Sequence, residues 1–424
     1  MSGRVVVMGL GRFGGGLAAA RYFRAAGHEV LATDLRDETA LEASVAAARA
    51  LGVELRLGAH DPEDFDRAEI LVVNPAIPFA SPLVARARAA GARIVTEIGL
   101  TLRRLPGPVI GITGTNGKST TASLAAAMLA GSGVSCALGG NIGRSLLNET
   151  LPSGTVAVLE LSSFQLAWLE HDEWAPIAAV VTNLTGDHFD RHPDFAHYAA
   201  AKRRLVEAVP PAGVVILPEN DAAMGPFAAA ARGRVVRFGG GTTPPIDLSR
   251  MRLAGRHNRD NAWAAAIAAL AAGATREGCE RALADFEPLP HRLRTVREDA
   301  GVVFVDDSVS TTPEATAAAV DACGERVILV TGGRDKGLTW DPLLRAARRA
   351  KAVVAYGETG PALHDRLPSA HLRPDFDRAV RHARALAQPG DTVLLSPGFA
   401  SYDEFPGFDA RGRRFHEIVG ESAL

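Results

Sequence analysis

A glycine-rich stretch between two regular segments constrains the fold of this chain more than any other feature. Residues 111–121 read Gly-Ile-Thr-Gly-Thr-Asn-Gly-Lys-Ser-Thr-Thr, follow the apolar pair Val109-Ile110 and precede the helix-like Thr121–Leu129. In a phosphate-binding loop, glycines let backbone N–H groups converge on phosphate oxygens, a lysine reaches the terminal phosphates and a hydroxyl binds Mg²⁺. The glycines here are Gly114 and Gly117, a shortened form of the pattern. We predict a nucleotide-binding strand–loop–helix unit, rather than an ordinary turn with an exposed lysine.

Length and composition limit the classes of protein to which the chain can belong. Its 424 residues suffice for two to four domains, and its net charge of −2 gives no sign of nucleic-acid or anionic-membrane binding. Three widely spaced cysteines fit neither a disulfide framework nor a zinc site. We find no leader-like opening and no uncharged apolar run of the roughly 20 residues that span a bilayer. We therefore expect a protein of the reducing cytoplasm, without nucleic-acid partners or membrane insertion.

Strand-like apolar runs alternate with alanine-rich helical stretches along the whole chain. This alternation predicts the α/β class, with parallel sheets covered by helices. We expect three domains: a Rossmann-like domain at 1–97, a central P-loop ATPase domain with a parallel sheet at 98–288, and a second Rossmann-like domain at 289–424. Beyond the strand that enters the phosphate loop, the predicted strands are Val5–Met8, Glu29–Ala32, Leu71–Val73, Ile94–Val95, Val156–Leu159, Ala178–Val181, Val214–Leu217, Val302–Val305, Val327–Val330, Ala352–Ala355 and Thr392–Leu395.

A second glycine pattern follows the first predicted strand. The stretch from Gly9 to Gly14 outlines the dinucleotide-binding fingerprint, and Asp34 stands twenty residues after Gly14. Because this helix N-terminus would bind any anion equally well, the pattern does not specify a nicotinamide cofactor. We expect a nucleotide-linked substrate here. A nicotinamide-dependent dehydrogenase is the alternative, and it would leave the ATP loop unused.

Polar clusters follow two predicted strands of the central segment, where ligands gather in parallel sheets. Glu160 ends one such strand, and His188 lies beside Asp187 in the stretch after the next. Hard cations favour carboxylates, so Glu160 and His188 could share an Mg²⁺ with phosphate oxygens. Lys202, next to Arg203 and Arg204, is typical of a solvated basic helix face when it is considered alone.

The third segment repeats the pattern of polar groups at strand ends. Asp307-Ser308 and Ser396-Pro397 each follow a predicted strand. Phosphoryl transfer depends on positioned cations more than on covalent groups. We therefore expect the third segment to close over the second by a hinge near Pro288 and to bring Lys336 or Arg292 to the reacting phosphate.

Eight short motifs, in this order, resemble those of the Mur ligases of peptidoglycan synthesis over essentially the whole chain. They are Gly111–Thr120, Gly140–Gly143, Glu160–Leu166, Asn183–Arg191, His257–Asn261, Leu289–Arg292, Asp307-Ser308, and Ser396-Pro397 with Ala400-Ser401. Folylpolyglutamate synthetases share the central part but lack a leading Rossmann-like segment. Within the Mur ligases, the motifs are most similar to those of the member that adds D-glutamate to UDP-N-acetylmuramoyl-L-alanine.

The resemblance implies a role for individual residues. ATP would contact Gly114, Thr115, Asn116, Gly117, Lys118, Ser119, Thr120, Asn258, Asn261, Arg292 and Asp307. Two Mg²⁺ ions would be held by Ser119, Glu160, His188 and a carbamylated Lys202, with Lys118, His188 and Lys202 as the catalytic set. The UDP-linked substrate would contact Leu10, Gly11, Arg12, Phe13, Asp34, Asn141 and Ser162. The incoming glutamate would contact Thr311, Lys336, Ser401 and Phe408.

The resemblance also implies the reaction: a monomeric, ATP-dependent ligase of small molecules that works through an acyl phosphate. One departure concerns the amino acid. The run from Asp307 to Thr311 has Val309 where the usual Asp-Ser-Lys-Ala-Thr run has lysine, so a cation near the amino-acid pocket is missing. Because some relatives add L-glutamate, the chirality stays open. The remaining alternative, a non-catalytic nucleotide-binding regulator, would be expected to have lost Glu160, His188 and Lys202.

Overall fold

The computed structural model describes residues 4–11, 14–169, 174–188 and 191–421, in which three sheets follow one another along the chain. The first sheet is parallel, with strand order β3-β2-β1-β4-β5. Its elements are β1 (Arg4–Met8), α1 (Gly15–Ala25), β2 (Glu29–Asp34), α2 (Glu42–Ala50), β3 (Glu54–Leu57), α3 (Pro62–Asp66), β4 (Ile70–Val73), α4 (Pro82–Ala89) and β5 (Arg93–Val95). In β1, Val5 and Val7 pack in one hydrophobic cluster and Val6 and Met8 in another. This two-residue alternation is typical of a strand buried on both faces.

The second sheet is also parallel, with strand order β11-β10-β9-β6-β8-β7. Its elements follow the connecting helix α5 (Glu97–Leu102) and are β6 (Val109–Thr113), α6 (Lys118–Gly131), β7 (Cys136–Gly140), β8 (Val156–Glu160), α7 (Ser163–Trp168), β9 (Ala178–Val181), α8 (Phe195–Glu207), β10 (Val214–Pro218), α9 (Gly225–Ala230), β11 (Arg234–Phe238), α10 (Arg256–Ala271) and α11 (Arg276–Asp285). The strand that enters the phosphate loop, β6, is buried along its whole length. The loop therefore leaves the carboxyl edge of an internal strand.

The third sheet has the order β12-β13-β17-β14-β15-β16, with β12 antiparallel to β13 and the other pairs parallel. Its elements are β12 (Arg294–Asp299), β13 (Val302–Asp306), α12 (Pro313–Cys323), β14 (Val327–Gly332), α13 (Asp341–Ala347), β15 (Ala352–Tyr356), α14 (Gly360–Arg366), β16 (His371–Leu372), α15 (Phe376–Leu386), β17 (Thr392–Leu395) and α16 (Phe408–Gly420). The antiparallel edge strand was not predicted, because its sequence is mostly charged and polar.

The α/β class and the strands predicted from apolar runs are confirmed, with ends that shift by at most three residues. The missed strands β3, β7, β11, β12 and β16 are all edge strands. An edge strand packs against fewer neighbours and needs fewer apolar residues, so its pattern is weak. The domain limits at 97/98 and 288/289 stay predictions. In the described part of the chain, no helix is long and apolar enough to cross a membrane.

Segments of neighbouring domains interlock at two places. Leu147, from the loop after β7, is fully buried in the core of the first sheet, and Asn148 donates a hydrogen bond to the Ala18 carbonyl at 2.9 Å. On the other side, Lys336 of the third sheet lies 3.6 Å from Asp187 of the second. These contacts join the first sheet to the second and the second to the third.

Candidate active site

The phosphate loop is shaped by two glycines that no other residue could replace without a clash. Gly117 precedes α6 with φ of 82°, and Gly114 has φ of 145°. A Cβ at Gly117 would collide with Asn261 Oδ1, and one at Gly114 would collide with Thr182 Oγ1. The loop therefore packs directly against its neighbours and presents the N-terminus of α6, which favours an anion.

Two lysines, the partly exposed Lys118 and the buried Lys202, share one backbone oxygen of this loop. Lys118 Nζ donates to the Gly114 carbonyl at 3.0 Å and to the Thr115 carbonyl at 2.7 Å, while Lys202 Nζ donates to the Gly114 carbonyl at 2.7 Å. Burial lowers the pKa of Lys118 despite nearby Glu160. Burial, followed by the charge of Lys118, lowers the pKa of Lys202 well below its usual range. The solvated face that the local sequence of Lys202 suggests by itself is not found, because α8 turns this side chain inward and leaves it only 1% exposed.

Glu160 supplies a carboxylate oxygen that lacks a protein partner. Its Oε1 accepts a hydrogen bond from Asn141 Nδ2 at 2.8 Å, whereas its Oε2 is buried without a partner in the described structure. A buried carboxylate oxygen left unpaired is costly unless it meets a cation. The residues therefore fit an Mg²⁺ at this edge of the sheet.

His188 lies on the same edge in a left-handed conformation, with φ of 59°. Its ring centroid is 4.8 Å from that of Phe164, and its Nε2 is 3.5 Å from Asp187 Oδ2. Burial lowers the pKa of His188 to about 4, against the opposing effect of Asp187. The imidazole is thus neutral at physiological pH, which is the form that ligates metals.

A cavity of about 470 Å³ opens between the phosphate loop and the third sheet. Its lining includes seven of the residues predicted to bind ATP: Asn116, Gly117, Thr120, Asn258, Asn261, Arg292 and Asp307. The other four lie beside this lining. Lys118 donates to the carbonyls of Gly114 and Thr115, and Ser119 accepts a hydrogen bond from Arg292. The structure therefore brings together groups that lie nearly two hundred residues apart in the chain.

The C-terminal wall of the cavity reaches across to the loop through Arg292. Its Nη2 donates a hydrogen bond to Ser119 Oγ at 2.8 Å. Asp307 lies behind it and accepts hydrogen bonds from the Leu293 N–H at 3.1 Å and from Ser396 Oγ at 2.8 Å. Burial raises the pKa of Asp307 to about 7, despite these hydrogen bonds and the nearby Arg292.

Two of the four residues predicted to bind glutamate are in contact. Lys336 Nζ donates to Thr311 Oγ1 at 3.1 Å and lies 3.6 Å from Asp187 Oδ1. Ser401 is buried beside Ala400, whose backbone pairs with Arg334, so it lies near the Lys336 segment. Phe408 is 40% exposed at the start of α16.

The residues predicted to hold the UDP-linked substrate differ from one another in burial and in contacts. The Gly11 N–H donates to Asp34 Oδ2 at 3.1 Å, and Asp34 also pairs with Arg36. Leu10 is fully buried in the first core, so only its backbone could contact a ligand. Ser162 is the N-cap of α7, in a capping box with Gln165. Arg12 and Phe13 lie outside the described residues.

Several residues that line the cavity were not predicted individually to contact a ligand. They are Asn183, Asp221, Phe238, Gly239, Gly240, Leu253, His257, Asp260, Glu314, Ala315, Ala318 and Ala319. Gly239-Gly240, after a strand, was a detectable signal because glycine-rich turns in such positions often approach ligands. Glu314 and the alanines carry no such signal, since they form an ordinary helix turn.

Comparison with known proteins agrees with this arrangement. Three domain families match: the MurD-like N-terminal domain of Mur ligases at residues 3–96, the Mur ligase middle domain at 112–244, and the glutamate ligase domain of Mur ligases at 291–399. The UDP-N-acetylmuramoylalanine–D-glutamate ligase of Anaeromyxobacter dehalogenans is 40% identical, covering 99% of this chain and 98% of the relative. The protein of the same name from Roseiflexus sp. is 38% identical, covering 98% of each.

Solved structures share the fold at lower identity. UDP-N-acetylmuramate–alanine ligase MurC from Thermotoga maritima aligns with a TM-score of 0.64 at 19% identity, covering 98% of this chain and 99% of that one. MurF from Acinetobacter baumannii aligns with a TM-score of 0.65 at 19% identity, covering 92% and 91%. The chain belongs to the Mur ligase family.

Proposed function

We propose that this chain joins D-glutamate to UDP-N-acetylmuramoyl-L-alanine in peptidoglycan precursor synthesis, with conversion of ATP to ADP and phosphate. The observation that carries the proposal is the cavity between the phosphate loop and the C-terminal wall, lined by Asn261, Arg292 and Asp307. It occurs in a chain that resembles D-glutamate ligases over 98% or more of its length. The cytoplasm and a monomeric state are part of the same proposal.

A free carboxylate is a poor electrophile, so the reaction needs activation. The alanyl carboxylate attacks the γ-phosphorus of ATP, which releases ADP and leaves an acyl phosphate. The glutamate amine then attacks the acyl carbon, and the tetrahedral intermediate collapses to the amide and phosphate as the amine loses its proton. Lys118 and Arg292 face the transferring phosphoryl group and offset its charge, while the domains align the two substrates.

The acidic and basic groups of the central edge would hold the Mg²⁺ ions. We assign Ser119 and Glu160 to one ion and His188 with a carbamylated Lys202 to a second. Bound Mg²⁺ would neutralise negative charge on the phosphoryl oxygens. The lowered pKa of Lys202 supports the carbamate, because the neutral amine is the form that adds carbon dioxide with loss of a proton.

The amino acid would enter beside Lys336 and Thr311. Because Val309 replaces a lysine, Lys336 is the cation near this pocket that can pair with a glutamate carboxylate among the predicted contacts. That substitution favours L-glutamate as the second candidate, since enantiomers differ in where their carboxylates point. The UDP-linked substrate would bind at the first sheet, where the Gly11 N–H donates to Asp34.

The direct test is phosphate release with UDP-N-acetylmuramoyl-L-alanine and ATP, with D- and L-glutamate assayed in parallel. We expect kcat/KM to favour the D-enantiomer. A preference for L-glutamate would replace the stereochemical part of the proposal. No release with either enantiomer would remove the amino-acid assignment, and no release with any amino acid would favour a non-catalytic nucleotide-binding protein.

A further inference from the structure

Two histidines and an aspartate form a hydrogen-bonded cluster beside the segment that enters the third sheet. Asp306 Oδ2 accepts from His291 Nδ1 at 2.6 Å and from His416 Nε2 at 2.7 Å, and Asp306 Oδ1 accepts from the Ser308 N–H at 2.9 Å. Because an ionised carboxylate only accepts, each imidazole carries a proton on the nitrogen that faces Asp306. Nothing in the proposed reaction uses Asp306 or His416.

The distances describe a hydrogen-bond network rather than a metal site. Ligand atoms around a tetrahedral ion such as Zn²⁺ lie roughly 3.4 Å apart, because each is about 2.1 Å from the ion. The two imidazole–carboxylate distances here are 2.6 and 2.7 Å, which is the range of charge-assisted hydrogen bonds. Although burial by itself would raise the pKa of Asp306, the hydrogen bonds from His291, His416 and Ser308 lower it to about 2.

The cluster holds a backbone segment in an unfavourable conformation. His291 and Leu293 have φ values of 61° and 45°, so left-handed residues flank Arg292 on both sides. Side chains other than glycine adopt this region only where surrounding contacts enforce it, and such strain concentrates at functional sites. The enforcing contacts are the His291–Asp306 hydrogen bond and the bond from the Leu293 N–H to Asp307 Oδ1 at 3.1 Å.

Helix α16 completes the cluster from the other side. It contributes His416 and also Gly412, where a Cβ would collide with His291 Nδ1 and crowd Asp306 Oδ2. Gly412 therefore allows α16 to lie directly against the His291–Asp306 pair. The side chain of Arg292 leaves this clamped segment and is partly buried at the cavity, where it reaches Ser119 Oγ at 2.8 Å.

We propose that Asp306 and His416 are positioning residues, which hold His291 in its left-handed conformation and thereby direct the Arg292 guanidinium at the phosphate loop. The inference rests on the proposed ATP-dependent function, because the role of Arg292 is to meet the phosphates of ATP. In the described structure His416 contacts Asp306 by a hydrogen bond and His291 by its ring, so its effect on Arg292 passes through these two residues.

The experiment measures the affinity of the full-length protein for a non-hydrolysable ATP analogue, so that slow variants still give a reading. We expect His416→Leu to weaken binding roughly tenfold, within the range of couplings measured for residues of one network. His416→Gln should restore most of the loss, because its amide N–H can donate to Asp306. His364→Leu is the matched control, since His364 lies on α14, which packs against β15 and β16 at the edge of the third sheet opposite β12, and its Nδ1 is 2.9 Å from the Ala370 carbonyl oxygen.

The double variant separates positioning from general destabilisation. If His416 acts through Arg292, then His416→Leu has less than a twofold effect in an Arg292→Lys background. An equal loss in both backgrounds, an unchanged affinity of His416→Leu in the parent, or an equal loss in His364→Leu would each overturn the inference. A parent protein that fails to bind the analogue would overturn the nucleotide-binding function itself, whereas binding without ligase activity would leave the inference standing and overturn only the reaction.

Discussion

The two walls of the nucleotide cavity are built in different ways. The phosphate-binding part of the central wall is one continuous loop, whose glycines pack against Thr182 and Asn261 and whose lysine folds back on the loop carbonyls. The C-terminal wall is assembled from separate segments, and its Arg292 depends on a strained turn held by two consecutive aspartates. A contiguous motif therefore determines most of its own geometry, whereas the geometry of the facing wall depends on contacts between residues far apart in the chain.

Removing the loop lysine should have the largest effect on the central wall. We expect Lys118→Ala to lower kcat by about 10³-fold or more, because the cation that faces the ATP phosphates is lost. Circular dichroism should show a folded protein. Lys351→Ala serves as the control for loss of a lysine far from the cavity. Turnover of Lys118→Ala within tenfold of the parent would contradict the role of the loop.

Replacing Lys202 tests whether the central wall needs a carbamylated side chain. We expect Lys202→Ala to lose roughly 100-fold in kcat, in keeping with groups that support a metal site. A small carboxylate such as formate should restore part of the activity, because it can replace the carbamate. Full activity without rescue would return Lys202 to a purely structural role.

The stability cost of a steric clash at a loop glycine can be measured separately from the cost of its left-handed backbone. Gly117→Ala should destabilise the fold by about 3 kcal/mol, because it adds a clash with Asn261 to the cost of a left-handed residue. Gly133→Ala is the matched control, since Gly133 has φ of 76° and nothing within 4 Å of the added Cβ. It should cost about 1 kcal/mol. If urea denaturation shows that both variants lose the same unfolding free energy, the clash with Asn261 contributes nothing.

The most gradual expected effect is the pH dependence of the C-terminal wall, where the change within one pH unit is smaller than the cost of Gly117→Ala. The pKa of Asp307 is raised to about 7, so its contribution to stability is present below its ordinary value near 3.8 and is lost as the pH rises towards 7. Relative to Asp307→Asn, the parent should lose on the order of 1 kcal/mol for each pH unit in that window. The neighbouring Asp306, with its pKa lowered to about 2, would lose its contribution only in stronger acid.

Denaturant unfolding of the two proteins from pH 4 to pH 8 checks this prediction. A constant difference in unfolding free energy across the window would mean that Asp307 stays ionised throughout. In that case the carboxylate would be compensated by Arg292 and its hydrogen bonds, and the C-terminal wall would carry a permanent buried charge.

The internal strands and the phosphate loop could be predicted from the sequence because their signals are local. A strand buried on both faces must be apolar along its length, and a loop that approaches phosphate needs glycine and lysine at fixed spacing. The eight family motifs added the order of the domains. Of the edge strands, only β5 could be predicted in this way, and β12, for example, is held by pairing with β13 and not by an apolar pattern.

The sequence by itself therefore determined the α/β class, the loop and the types of residue that the site requires. Only the tertiary structure decided that Lys202 is buried on the loop, that Glu160 keeps an unpaired oxygen, and that Arg292 meets Ser119. The physical reason is that burial and hydrogen-bond partners depend on contacts between residues far apart in the chain. A lysine in a basic helix has the same local sequence whether its face meets solvent or the phosphate loop, and only packing distinguishes the two.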